Sequence, residues 1–106
     1  MHAASQELLN RRLKPLRDAI DMVDDQILEL LVERFSLITE VAKIKGQLCA
    51  PVLAETRIRS IMERLSAAAI AKGMDAHTVK LIYDSIHVAA CQTEARVIGL
   101  TKPEHP

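Results

Sequence analysis

Two cations, Arg34 and Lys45, interrupt an apolar helical stripe in the first half of the chain. Steps of three and four residues define the stripe, and its other members are Ile20, Val23, Ile27, Leu31, Ile38 and Val41. Since a helix turns about 100° per residue, the two cations face the same side, about 16 Å apart along the axis. No acid lies on the stripe, and an unpaired buried cation is costly. We therefore expect distant carboxylates or an anionic ligand to neutralise the two charges.

Two further cations could join this pair. Arg17 is rotated by about 100° from Arg34, so it would reach the site only from a partner chain whose long helix runs antiparallel. Arg57 follows the connection after Lys45. Several cations around a dry pocket suit a small dicarboxylate, because guanidinium groups bind carboxylates through paired hydrogen bonds.

A carboxyl group, Glu94, lies on an otherwise mainly apolar helical face. The other members of this face are Tyr83, His87, Ala90 and Val97. Glu94 could be a salt-bridge partner for one of the cations or a functional group in the same pocket, and the spacing favours neither. We expect His87 to be a partly buried core residue.

Helices must position these residues, because apolar side chains recur at spacings of three and four, and Gly and Pro fall only at junctions. We predict an all-α fold of three helices, one long and two shorter. The first should start between Asn10 and Pro15 and run to Lys45, with Gly46 as its stop.

The two shorter helices follow an irregular connection that contains Pro51. The second should carry the apolar positions from Ile58 and end near Lys72-Gly73. The third should begin after Asp75 as N-cap, with a pattern that fades after Leu100. Two short helices cannot cover the long one, so we expect an intertwined homodimer in which the long helices pair.

Composition argues against several classes of partner. With one Phe, one Tyr, no Trp and a formal net charge of zero, the chain offers nucleic acid neither stacking platforms nor a basic surface. Cys49 and Cys91 suggest neither a disulfide framework nor a metal site, and we read them as apolar fillers in a reducing compartment. With no signal segment and no membrane span in the sequence, we expect a cytoplasmic protein.

The motifs together resemble the all-helical chorismate mutase family, which includes related isochorismate-pyruvate lyases. The resemblance covers about residues 13 to 98, within a single domain of residues 1–106. It rests on these segments: Leu16-Arg17-Asp18-Ala19-Ile20-Asp21-Met22-Val23-Asp24, Glu33-Arg34, Val41-Ala42-Lys43-Ile44-Lys45, Pro51-Val52, Arg57 and Asp75-Ala76-His77.

The resemblance implies an intertwined dimer that converts chorismate to prephenate in aromatic amino-acid biosynthesis. That reaction is a one-step pericyclic rearrangement without cofactor, metal or covalent intermediate. Arg34 and the partner subunit's Arg17 would hold the two carboxylates, and Lys45 and Glu94 would hydrogen-bond the ether oxygen whose bond breaks. Other substrate-binding positions would be Arg57, Ala54, Ile58 and Ala90.

Three positions depart from the family pattern. Glu94 stands where many members have Gln, and only a protonated Glu can donate to the ether oxygen. Ile58 stands where members often have a Glu that binds the ring hydroxyl, and Ala90 replaces a small polar residue. Isochorismate or an amino-substituted analogue therefore stays open as the substrate. The alternatives are an isochorismate-pyruvate lyase, which would make salicylate and pyruvate, and a non-catalytic helical dimer.

Overall fold

Three α-helices form the part of the chain that the structure, a computed structural model, describes, namely residues 3–100. Helix α1 spans Ala3–Leu48, α2 spans Glu55–Ala71 and α3 spans Ala76–Leu100. Residues 3–100 contain no strand, so the predicted all-α class, with one long and two shorter helices, is confirmed. None of the described helices combines the length and the apolar character that crossing a membrane requires.

Helix α1 begins earlier than predicted, at Ala3 rather than between Asn10 and Pro15. The segment before Pro15 is rich in Ala, Leu, Glu, Gln and Arg, which are strong helix formers. Pro15 lies inside the helix, where its missing amide removes the hydrogen bond to the carbonyl of Arg11. The start predicted from Pro15 was therefore wrong, because favourable residues on both sides carry the helix through it.

The predicted stop at Gly46 was also wrong, because α1 continues to Leu48. Gly46 is buried inside the last turn, and one Gly in a helix costs only about 1 kcal/mol relative to Ala. The chain leaves the helix at Cys49, whose φ of 55° lies in the left-handed region. The amide of Cys49 donates to the Gly46 carbonyl at 3.4 Å, and that of Ala50 to the Lys45 carbonyl at 2.9 Å.

The connection between α2 and α3 follows the prediction. The amide of Gly73, at φ 82°, donates to the Ile70 carbonyl at 3.1 Å, and that of Met74 to the Ala69 carbonyl at 2.8 Å. These bonds satisfy carbonyls that the end of α2 would otherwise leave open. Asp75 then caps α3, since its Oδ2 accepts from the Thr78 amide at 3.0 Å.

The chain divides into two compact units between Arg34 and Phe35, within α1. The second unit contains the end of α1, α2 and α3, and in it α2 packs against α3. Its buried apolar residues are small or aliphatic, as the near absence of aromatic residues predicts. They are Ala42, Ile61, Ala69, Val79 and Ala90.

The first unit, described by itself, is one helical segment of α1 whose apolar stripe faces solvent. Ile20 is 57% exposed, Val23 51% and Ile27 48%, whereas Leu31 is half-buried. Apolar side chains recurring on one face of a helix are those that normally pack against another element. A single copy of the chain leaves this part of the predicted core face uncovered.

Candidate active site

A buried ion pair joins the last turn of α1 to α3. The Nζ atom of Lys45 lies 2.7 Å from Oε1 of Glu94, and the two side chains are 18% and 7% exposed, respectively. The sequence left distant carboxylates or a ligand as the counter-charge for Lys45, and in this structure a distant carboxylate supplies it. A charge-assisted hydrogen bond of this length, withdrawn from water, is among the stronger polar contacts in a protein.

Lys45 has a second partner in the connection between α1 and α2. Its Nζ donates to the main-chain carbonyl of Val52 at 2.7 Å. The chain turns at Cys49 and Ala50 after α1, and the Val52 carbonyl lies within reach of the Lys45 side chain. The ammonium group is therefore held from two sides, by a carboxylate on α3 and by a carbonyl in the connection.

Helix α3 presents Glu94 among buried neighbours on its inner face. Ala90, one turn earlier, is 4% exposed, and His87 is 9% exposed. The rings of His87 and Tyr83 are in contact, with centroids 5.8 Å apart and planes inclined at 59°. The structure thus buries the face that the helical spacing predicted, with a carboxyl and an imidazole among apolar side chains.

The start of α2 supplies the three remaining predicted positions of the second unit. Ala54, just before the helix, and Ile58 in its first turn are half-buried, and the Ile58 amide donates to the Ala54 carbonyl at 3.0 Å. Arg57 is exposed.

The other two predicted cations, Arg17 and Arg34, belong to the first unit. Arg17 is exposed, with its Nη1 3.5 Å from Oδ1 of Asn10 on the same helix. Arg34 is half-buried. Among the predicted site residues, the side chains of Lys45 and Glu94 form a direct ion pair.

The sequence patterns did not identify the Val52 carbonyl as a hydrogen-bond acceptor for Lys45. A main-chain acceptor has no side-chain signature, so the one available signal was Pro51, which restricts the backbone just before it. Among the described residues, no group of three or more His, Cys, Asp or Glu side chains could hold a metal ion.

Chemically, the cluster of Lys45, Glu94 and the Val52 carbonyl presents an oriented ammonium group in a mainly apolar setting. Such a group can donate a hydrogen bond to an anion or to an oxygen on which negative charge develops. A protonated Glu94 could act as a second donor, whereas the ionised form accepts from Lys45.

Comparison with known protein families gives one match that covers most of the chain. The model of the family described as chorismate mutase type II matches residues 16–95. This range contains every residue proposed for the site from sequence, from Arg17 in α1 to Glu94 in α3.

Curated relatives are similar over shorter segments. A chorismate mutase from Methanocaldococcus jannaschii is 41% identical over 54 residues, which is 51% of this chain and 54% of the relative. A bifunctional chorismate mutase/prephenate dehydratase from Escherichia coli is 36% identical over 74 residues, covering 70% of this chain and 19% of the relative. The corresponding protein of Enterobacter agglomerans is 35% identical over 74 residues, which again cover 70% of this chain and 19% of the relative. The chain thus spans about half of the Methanocaldococcus jannaschii relative and about a fifth of the bifunctional ones.

Proposed function

Because this chain belongs to the chorismate mutase type II family, we propose that it catalyses the rearrangement of chorismate to prephenate, a step of aromatic amino-acid biosynthesis. The observation that carries the proposal is the buried ion pair of Lys45 with Glu94, at 2.7 Å, inside the range that the family model matches. It provides an oriented cation in a mainly apolar setting, which a reaction with developing oxygen charge requires.

The proposed mechanism needs no covalent step by the protein. In chorismate, the carbon–oxygen bond of the enolpyruvyl ether breaks while a new carbon–carbon bond forms in the same step. The protein contributes by holding the flexible substrate in its compact reactive shape and by stabilising charge on the ether oxygen. Lys45 donates to that oxygen, and Glu94 both retains Lys45 and, when protonated, donates as well.

We assign the substrate's two carboxylates to Arg34 and to the partner subunit's Arg17, with Arg57 as a further cation. Ala54, Ile58 and Ala90 would line the same pocket. The residue types support this part of the proposal, since guanidinium groups bind carboxylates through paired hydrogen bonds. Because Ile58 and Ala90 are apolar, this lining gives the ring hydroxyl little polar recognition.

The proposed active form is a homodimer in which residues 1–106 act as one domain. The exposed apolar stripe of α1, with Ile20, Val23 and Ile27 each about half exposed or more, supports an association of long helices. It would also deliver Arg17 across the interface. A cytoplasmic location remains a prediction, and it agrees with the free state of Cys49 and Cys91.

The test is a parallel assay of the purified protein with chorismate and with isochorismate. Loss of chorismate and formation of prephenate are followed in one reaction, and salicylate and pyruvate in the other. Prephenate as the dominant product is expected. Salicylate and pyruvate as dominant products would reassign the chain to lyase chemistry, and inactivity with both would point to an amino-substituted substrate or to a non-catalytic dimer.

A further inference from the structure

We propose that the main-chain carbonyl of Val52 is a positioning group, which fixes the direction in which the Lys45 ammonium donates to the substrate. The connection between α1 and α2 then belongs to the catalytic apparatus through its backbone. The catalytic part of this inference rests on the proposed function, whereas the positioning of Lys45 can be tested without it.

The geometry of an ammonium group carries the argument. Lys45 has three N–H bonds on one tetrahedral nitrogen. One donates to Oε1 of Glu94 at 2.7 Å and a second to the Val52 carbonyl at 2.7 Å. With Glu94 as sole partner, the ammonium could swing about the line between Nζ and Oε1, and its other two N–H bonds would sweep a cone. The second bond, to Val52, stops this swing, so the third N–H has one direction.

The chemical type of the second partner also matters. When Glu94 is ionised, it balances the charge of Lys45, so a second carboxylate would leave the cluster with a net negative charge and repel a dicarboxylate. A carbonyl is uncharged, and it orients the ammonium without cancelling its charge. Val52 thus provides direction without adding negative charge to the cluster.

The connection is built to hold this carbonyl in place. Lys45 contacts the connection through its main chain and through its side chain. The main-chain carbonyl of Lys45 accepts from the Ala50 amide at 2.9 Å, and Nζ of Lys45 donates to the Val52 carbonyl at 2.7 Å. Between these two contacts, Pro51 restricts the backbone angle φ. The segment between helices is short, and α2 begins at Glu55. We infer that this double tie sets the position of the carbonyl relative to the last turn of α1.

The test weakens the carbonyl without changing a side chain. Replacing Leu53 by its α-hydroxy analogue turns the peptide bond after Val52 into an ester, whose carbonyl is a poorer acceptor. The full chain can be assembled by chemical ligation at its two cysteines, Cys49 and Cys91. The matched control is an ester between Met74 and Asp75, in the second connection, where the described backbone hydrogen bonds use other atoms.

The ester after Val52 is expected to lower kcat about fivefold to tenfold with KM changed less than about twofold, since it weakens a bond that matters for orientation. The control ester should behave as the parent. In an isotope-labelled parent, nuclear magnetic resonance should detect a coupling across the hydrogen bond between Lys45 Nζ and the Val52 carbonyl carbon. The ester should weaken this contact.

Two outcomes would overturn the inference. The first is an absence of the coupling in the parent, whatever its activity. The second is a weakened contact with kcat unchanged. A parent that does not convert chorismate would instead refute the proposed function, and the coupling measured in the same sample would still confirm or refute the positioning of Lys45.

Discussion

At the level of single residues, Lys45 is the side chain on which the proposed chemistry depends. Its ammonium is largely withdrawn from solvent and has partners in α3 and in the connection after α1. A cation in this environment interacts with developing negative charge far more strongly than one in water. Lys45 therefore has a structural role and a proposed catalytic role, and mutation must separate the two.

Replacing Lys45 by Met, which keeps the length and apolar stem, is expected to lower kcat at least about 100-fold, because an oriented donor to a developing oxyanion is lost. Steady-state rates with chorismate and thermal unfolding should be measured together. Lys43→Met is the matched control, since its exposed ion pair with Glu40 at 3.0 Å is worth little. A folded Lys45→Met protein within tenfold of the parent would contradict the assignment.

Glu94→Gln tests whether Glu94 donates to the ether oxygen. Gln has nearly the shape of Glu and its amide is always a donor, so the variant should keep kcat at or above that of the parent if donation is the role. Glu94→Met, which has no donor, should then lower kcat at least about 100-fold. Steady-state rates with chorismate decide the point, and a folded Gln variant as slow as the Met variant would refute the role.

At the level of secondary-structure elements, the turn after α1 contains a residue in an unfavourable backbone conformation. Cys49 adopts a φ of 55°, and for a residue with a Cβ atom this region costs about 1–2 kcal/mol. The residue type is therefore unfavourable at the position where the chain reverses toward Val52.

Cys49→Gly is expected to raise the free energy of unfolding by about 0.5–1 kcal/mol, because Gly adopts this φ without strain but gains entropy in the unfolded chain. Cys49→Ala is the control, as it removes the thiol and keeps the Cβ atom. Urea unfolding of the three proteins provides the comparison. A Gly variant no more stable than the Ala variant would show that the turn is not strained.

At the level of the whole molecule, the exposed stripe of α1 is the feature that predicts association. Ile20, Val23 and Ile27 lie on one helical face and are each about half exposed in one copy of the chain. Burial of apolar area contributes about 25 cal/mol per Å², so a second copy could gain substantially by covering this face.

Ile27→Lys is expected to shift the protein from dimer to monomer and to lower activity at least about tenfold, because a charge would have to be buried and the partner subunit's Arg17 would be lost. Ser36→Lys adds the same charge at an exposed position of α1, about two and a half turns further on and on the opposite side of the helix, and should leave the dimer intact. Light scattering coupled to size-exclusion chromatography measures the mass. A dimeric, active Ile27→Lys protein would exclude this stripe as the interface.

Local chemistry was sufficient to predict much of the architecture. The helical spacing of apolar residues predicted three helices, and turn chemistry predicted the end of α2 near Gly73 and the cap at Asp75. The same periodicity predicted the buried face of α3 that carries Glu94. These features depend on residues within a few positions of each other, which is the range over which propensity, capping and periodicity act.

The bounds of α1 and the partners of Lys45 required the tertiary structure. Gly46 is a weak local stop signal and Pro15 a stronger one, at about 1 and 3 kcal/mol respectively. Helix α1 nevertheless continues through both, because the favourable residues on either side outweigh these costs. Glu94 is 49 positions from Lys45, so a pattern on one helix cannot identify it as the partner. The Val52 carbonyl has no side-chain identity at all. Pairing over long separations is decided when helices pack and connections close, because only then does each buried polar group find its partner.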